Sequence, residues 1–233
     1  MKKVLLYSGG MDSWLINKLW APDIKLYIDV HGAYSETEKL HLPKDTIIID
    51  FPLLGMFERQ DRYIPLRNLY FLMIASNYGD NICLGATATD VKKDSNFKFL
   101  KTTEKIINDL LTDDHREIKI ETQFALMDKQ KLLYEVLNRG ISLTDVYKET
   151  FSCYNPIDNQ PCYNCLSCFR KFSLLYINNH NYSELQQKKM WEYIKNNILF
   201  SKTNPLYSQI YNVQNSENAI LIQTIQKLRE KYE

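Results

Sequence analysis

Along the first half of the chain, short apolar runs alternate with stretches in which apolar residues recur every three or four positions. Residues 4–7, 26–30, 46–51 and 82–84 are brief, apolar and bounded by turn residues, which predicts buried strands. Residues 13–20, 68–78 and 96–111 carry helical spacing, clearest at Ile106, Ile107, Leu110 and Leu111. A fifth strand is predicted over 118–122, and a helix over 129–138 stopped by Gly140. Alternating strand and helix predicts an α/β fold: a Rossmann-like parallel sheet with helices on both faces. In such sheets ligands bind beyond the carboxyl ends of the strands. From Phe151 the texture changes to a cysteine cluster followed by helical stretches at 169–177, 184–197 and 219–231. The predicted division is an α/β domain over 1–150 and a small helical, cysteine-bearing region over 151–233.

Composition adds bounds. With 45% hydrophobic and 24% charged residues, the 233-residue chain has the make-up of a globular protein with a real core. Its 29 basic and 28 acidic residues leave a formal net charge of +1, so no global field favours a stable nucleic-acid complex. The opening apolar run ends at Tyr7, too short for a signal-peptide core, and no later run reaches membrane-spanning length. The expected setting is cytoplasmic, where the five cysteines read as ligands or core residues rather than disulfides.

Ser8-Gly9-Gly10-Met11-Asp12-Ser13 follows the first strand and opens a helix. Two glycines let the backbone approach phosphate oxygens and adopt positive φ, and the helix N-terminus offers donors to an anion. Ser8 and Ser13 would add hydroxyl donors, and Asp12 suits a Mg²⁺ ion bound between it and the phosphates. A glycine pair alone is more often a tight turn. Here strand, loop and helix stand in the required order with both serines and the acid, which favours the anion site. The loop is neither a Walker A sequence nor a dinucleotide fingerprint. It resembles the pyrophosphate loop of the N-type ATP pyrophosphatases, which cleave ATP between the α and β phosphates and leave AMP on the substrate.

Cys153, Cys162, Cys165 and Cys168 are spaced so that thiolates converge on one ion, and four sulfurs suit Zn²⁺ in a closed structural site. An iron–sulfur cluster also takes four cysteines and ranks second. Arg170 and Lys171 would partly offset the thiolate charge. Cys83, inside an apolar strand, reads as a small core residue.

Together these features resemble the 7-cyano-7-deazaguanine synthase (QueC) family and its viral and defence-associated relatives. The loop at 8–13, Ile64-Pro65-Leu66-Arg67-Asn68 before an apolar helix, Leu84-Gly85-Ala86 with Asp90, and Phe151-Ser152-Cys153-Tyr154 with Cys162, Cys165, Cys168 and Arg170 carry the resemblance. It implies an adenine nucleotide alpha hydrolase-like fold. It implies ATP contacts at Tyr7, Ser8, Gly9, Gly10, Met11, Asp12, Ser13, Val30, Arg67 and Gly85, and catalytic roles for Asp12, Arg67, Asp90 and Lys129. Three of them have a plainer alternative: Arg67 a surface arginine, Asp90 a helix cap, Lys129 a solvated lysine. The sequence also departs from the family. Val30-His31-Gly32-Ala33-Tyr34 stands where Tyr-Gly-Gln-x-His is usual, and Lys93-Asp94-Ser95-Asn96-Phe97 stands where Tyr-Pro-Asp-Cys is usual. Both segments would lie near the substrate.

The resemblance implies a ligase that uses ATP, Mg²⁺ and a zinc site to convert 7-carboxy-7-deazaguanine and ammonia to the nitrile through adenylated intermediates. It also implies a homodimer. Two other classes fit parts of the pattern. One is an adenylating relative of the same fold that stops at the amide, conjugates the deazaguanine, or modifies tRNA by thiolation or lysidine-type ligation. The other is a zinc protein that binds nucleotide without turnover.

Overall fold

A computed structural model describes residues 1–88, 94–111, 115–200, 202–213 and 215–233. The chain forms two compact units, Met1–Arg139 and Gly140–Glu233.

The first unit runs β1 (Lys3–Leu6), α1 (Met11–Trp20), β2 (Ile24–Asp29), α2 (Ser35–Lys39), β3 (Ile47–Asp50), α3 (Pro52–Gly55), α4 (Arg67–Ala75), β4 (Asn81–Cys83), α5 (Phe97–Leu110), β5 (Lys119–Ile120) and α6 (Lys129–Asn138). Its five strands pair in the order β3-β2-β1-β4-β5, and every pairing is parallel. Side chains alternate between faces along a strand. Val4, Leu6, Leu26, Ile28, Ile82 and Ile120 therefore meet Leu72, Ala75, Leu100 and Ile107 of α4 and α5 in one buried cluster. Leu5 projects to the opposite face and is fully buried, as are Leu15 and Ile16 of α1, which packs with α6. Where both faces are covered, as over Val4–Leu6 and Leu26–Ile28, the strand reads as an unbroken apolar run, whereas β3 at the sheet edge leaves Ile47 and Ile48 exposed. Each fully buried Leu or Ile contributes on the order of 1.5–3 kcal/mol. The α/β expectation is met, with the predicted strands displaced by only a residue or two.

The second unit holds α7 (Leu143–Glu149), α8 (Leu166–Ile177), α9 (Glu184–Ile194), α10 (Pro205–Asn212) and α11 (Ser216–Tyr232), with a π-helical turn at Lys195–Leu199. Helix α11 packs on α8 and α9 around Phe169, Phe172, Leu175, Met190, Ile194 and Leu228. The units divide ahead of residue 150 because α7 is tied to α8, α9 and the cysteine segment. Tyr147 Oη lies 2.9 Å from Tyr163 Oη, and Gln186 Nε2 donates to both hydroxyls. The buried Nζ of Lys171 donates to the carbonyls of Tyr147 and Thr150, closing the C-terminal end of α7. Too short for a clear apolar period, α2 and α3 were not predicted. The start of α7 had a local signal in the capping box of Ser142 and Asp145.

Candidate nucleotide site and metal centre

The strand order places a topological switch point between β1 and β4, where the chain leaves the sheet toward opposite faces. The turn after β1 is built for close backbone approach. Gly9 has φ +73°, and a β-carbon there would lie 3.1 Å from the carbonyl oxygen of His41. Gly10 behaves differently from the expectation for a glycine pair: its φ is −71°, an extended conformation open to any residue. It caps α1 without a side-chain hydrogen bond, and the N-terminal end of a helix favours an anion. Ser13 is buried and donates its hydroxyl to Gly10 O at 3.1 Å, so it braces the loop, whereas Ser8 is exposed. Tyr7 and Met11 are buried, and Tyr7 N donates to Leu26 O at 2.9 Å.

From across the switch point, Gly85 closes on this loop. Its φ is +79°, and a β-carbon would stand 3.5 Å from Leu6 O and 3.8 Å from Ser13 Cβ. Lys129 reaches in from the start of α6, its Nζ 3.0 Å from Asp12 Oδ2. A lysine in a first helical turn opposes the helix dipole, while Asp12 in the first turn of α1 is favoured by it. The pair thus sets an ammonium at the loop against the local preference of its own helix. Val30 is buried beneath α3, with Gly55 so close that a β-carbon there would lie 1.8 Å from Val30 O.

Arg67 opens α4 with its guanidinium 5.8 Å from the Phe71 ring centroid. It faces Glu38, whose carboxyl is raised by burial and partly restored by its hydrogen bond from Tyr27 and by the Arg67 charge. Asp90 lies outside the described residues. The sequence reasoning passed over one further cluster, Asp29, His31 and Asp50, whose donor atoms lie within 4.8 Å of one another. Its signal was two apolar strands each ending in aspartate, with a histidine just after the first.

In the second unit the four cysteines converge, their Sγ atoms all within 4.8 Å of one another. Cys153 and Cys162 Sγ are 3.5 Å apart and Cys162 and Cys168 Sγ 3.9 Å, far beyond a disulfide bond and near the edge of about 3.8 Å expected for four sulfurs at ~2.3 Å from zinc. The longer spacing closes as a tight turn: Asp158 and Asn159 have φ +48° and +58°, and Ile157 and Gln160 exchange backbone hydrogen bonds. Amides of Cys162, Asn164 and Cys168 point at cysteine sulfurs, and Cys165 caps α8, whose N-terminus favours thiolates. Without a cation the four thiols cannot all ionise. Burial pushes Cys162 up to about 11, whereas hydrogen bonding from Cys168 draws Cys165 down to about 5 and pushes Cys168 up. Charge, spacing and donor chemistry therefore fit Zn²⁺. Arg170 is engaged instead by Glu217, Nε to Oε1 3.5 Å, and Lys171 by the α7 carbonyls. Cys83 is a core residue, as expected, its thiol pushed up to about 12 by burial.

The family model described as "Queuosine biosynthesis protein QueC" matches residues 41–176 of this chain, more than half of it. The chain belongs to the QueC family. The QueC match spans Arg67, Gly85, Lys129 and all four cysteines, while the glycine loop lies before it. Among curated relatives, the 7-cyano-7-deazaguanine synthase of Methanosphaerula palustris is 29% identical over 208 residues, 72% of this chain and 91% of that protein. The 7-cyano-7-deazaguanine synthase 1 of Desulfitobacterium hafniense is 25% identical over 202 residues, 73% of this chain and 89% of that protein. A Rickettsia felis protein of the same description is 31% identical over 125 residues, half of this chain and 54% of its own length. The chain thus spans about half the length of the Rickettsia relatives it matches. Within the first unit the match falls on β3, β4 and β5 of the parallel five-stranded sheet. No helix among the described residues is long and apolar enough to cross a membrane.

Proposed function

We propose that this chain is an ATP-dependent ligase that converts 7-carboxy-7-deazaguanine and ammonia to 7-cyano-7-deazaguanine, releasing AMP and pyrophosphate. The observation that carries the reading is the Lys129–Asp12 pair, 3.0 Å across, held on an uncapped glycine loop at the sheet's switch point. A carboxylate resists nucleophiles because oxide would have to leave. Attack of its oxygen on the α-phosphorus of ATP expels pyrophosphate and makes AMP the leaving group. Ammonia then forms the C–N bond as the C–O bond to AMP breaks, and loss of one proton to water gives the amide. The amide oxygen attacks the α-phosphorus of a second ATP and expels pyrophosphate, and loss of AMP and both N–H protons leaves the nitrile.

In this scheme Gly9 and the first-turn amides of α1 take up the charge of the departing phosphates. Lys129 adds positive charge beside them, Gly85 leaves room for the AMP moiety, and Arg67 contributes a cation on the α4 side. The Asp12 carboxylate is the donor that would hold Mg²⁺ arriving with the phosphates, and that ion would neutralise the leaving group. The cysteine site is the staple of the second unit and takes no part in a bond-making step.

Incubation with the carboxylic acid, ammonium and MgATP should yield nitrile with two AMP and two pyrophosphates per product, resolved by mass spectrometry. Formation of ADP and orthophosphate, or nucleotide binding with no pyrophosphate release, would overturn the proposal.

A further inference from the structure

Glu38 is a half-buried carboxylate of the first unit with no task in the adenylation scheme. It lies on α2, and Tyr27, buried on β2, donates its hydroxyl to Glu38 Oε2 at 2.8 Å. The other oxygen, Oε1, has no hydrogen-bond partner among the described residues. The backbone here adjoins the phosphate loop. His41 N donates to Glu38 O at 3.0 Å, and His41 O lies 3.1 Å from where a Gly9 β-carbon would stand.

Arg67 faces this carboxyl from the start of α4. Leu66 just before it has φ +60°, a left-handed conformation that costs a leucine energy and fixes the direction in which α4 begins. The Arg67 guanidinium stands 5.8 Å from the Phe71 ring centroid and forms no hydrogen bond or ion pair among the described residues. The next residue, Asn68, donates to Asp94 O at 2.9 Å and to Asp94 Oδ2 at 3.2 Å, which ties the segment after 93 to the same helix end. Arg67 is near enough to draw the Glu38 carboxyl down, yet burial raises it by more, so Glu38 as it stands weakens the fold. A charge kept at a cost to stability, opposite a guanidinium with unspent donors, points to a ligand between them.

The chemistry of the pair says which ligand. An ionised carboxylate only accepts hydrogen bonds, and a guanidinium only donates. One edge of a guanine-type ring carries O6, N1–H and the 2-amino group in that order: acceptor, donor, donor. Adenine sets an amino donor and a bare N1 acceptor along the same edge, the wrong partners for Arg67 and Glu38. Resting on the ligase reading above, we propose that Glu38 recognises the 7-deazaguanine ring of the substrate by accepting its 2-amino and N1–H donors, while Arg67 donates to O6. The pair thereby tells the acid substrate from the adenine of ATP, and the Arg67 charge offsets repulsion between Glu38 and the substrate carboxylate. Glu38 touches no reacting atom. Its hold on the ring orients the 7-carboxylate for attack on the α-phosphorus.

The test compares the parent chain with Glu38→Gln on two acids, 7-carboxy-7-deazaguanine and its 2-deamino counterpart. Acid-dependent exchange of labelled pyrophosphate into ATP reports adenylation of each. The parent should prefer the 2-amino acid by about 10- to 100-fold in kcat/KM, the range expected for a hydrogen bond to a charged group. In Glu38→Gln the KM for 7-carboxy-7-deazaguanine should rise by about the same factor, with the KM for ATP within about twofold of the parent and the preference cut to about threefold or less. A merely structural role for Glu38 would not move the preference between the acids. No preference in the parent, an unchanged KM and preference in Glu38→Gln, or a rise in the KM for ATP instead, overturns the inference while leaving the ligase reading intact. Absence of exchange in the parent with either acid overturns both.

Discussion

Replacing Gly9 by alanine separates a phosphate-binding loop from an ordinary tight turn, provided Gly140→Ala is measured beside it. Both glycines sit at positive φ, +73° and +82°. A residue with a β-carbon costs roughly 1–2 kcal/mol there, because the β-carbon crowds the following carbonyl. Around Gly140 nothing lies within 4 Å, so the conformational term is the whole cost. At Gly9 the new methyl also meets His41 O at 3.1 Å, and the loop must give by a few tenths of an ångström. Gly140→Ala should therefore lower the thermal midpoint by about 2–8 °C for a chain of this size, and Gly9→Ala by at least as much. Their activities should part company. Displaced loop amides no longer meet the leaving phosphates, and acid-dependent pyrophosphate release should fall by about 10- to 100-fold in Gly9→Ala. Gly140→Ala should retain the parent rate at a temperature where both variants are folded. Differential scanning fluorimetry and a coupled pyrophosphate assay on the same preparations provide both readouts. Equal activity in the two variants, at a temperature where both are folded, would refute the assignment of the loop.

Lys129→Met should cut pyrophosphate release by about 10²- to 10³-fold. It should change stability by less than about 1 kcal/mol, because the pair with Asp12 is partly open to water. A rate within twofold of the parent would mean the lysine is merely an ion-pair partner. Zinc added to metal-free protein at pH 7 should release protons, since burial keeps Cys162 protonated with a value of about 11, and Cys162→Ser should lower both bound zinc and the thermal midpoint. Full zinc content in that variant, measured by plasma emission, would rule out four-sulfur ligation. Glu38 has its carboxyl raised by burial, so its contribution is greatest when protonated, below the unfolded value near 4.5, and is lost as pH rises through the folded value. Glu38→Gln should thus be at least as stable as the parent at pH 7, with the gap closing toward acid. A neutral-pH loss that persists on acidification would refute this.

Much of the α/β half was legible, because burial on both sheet faces writes itself as continuous apolar strands, and amphipathic helices such as α5 keep their period. The short α2 and α3 were not, since five and four residues cannot display a period of 3.6. The cysteine centre was legible for a different reason: its ligands lie close together in the chain, so spacing alone implies convergence. The sequence showed two glycines, but their unequal use was hidden, because φ at Gly9 and Gly10 depends on where His41 and α1 come to rest.

By itself, then, the amino-acid sequence determined the alternation of elements, the glycine turn after the first strand and the four-thiol cluster, all matters of local chain order. Tertiary structure alone decided that β4 neighbours β1, so that Gly85 closes on Leu6 and Ser13, that Lys129 meets Asp12, and that Asp29 and Asp50 flank His31. The physical reason is that hydrophobic periodicity states which side of an element must be buried, but not against which partner. Strand order and register are settled only when the whole core packs.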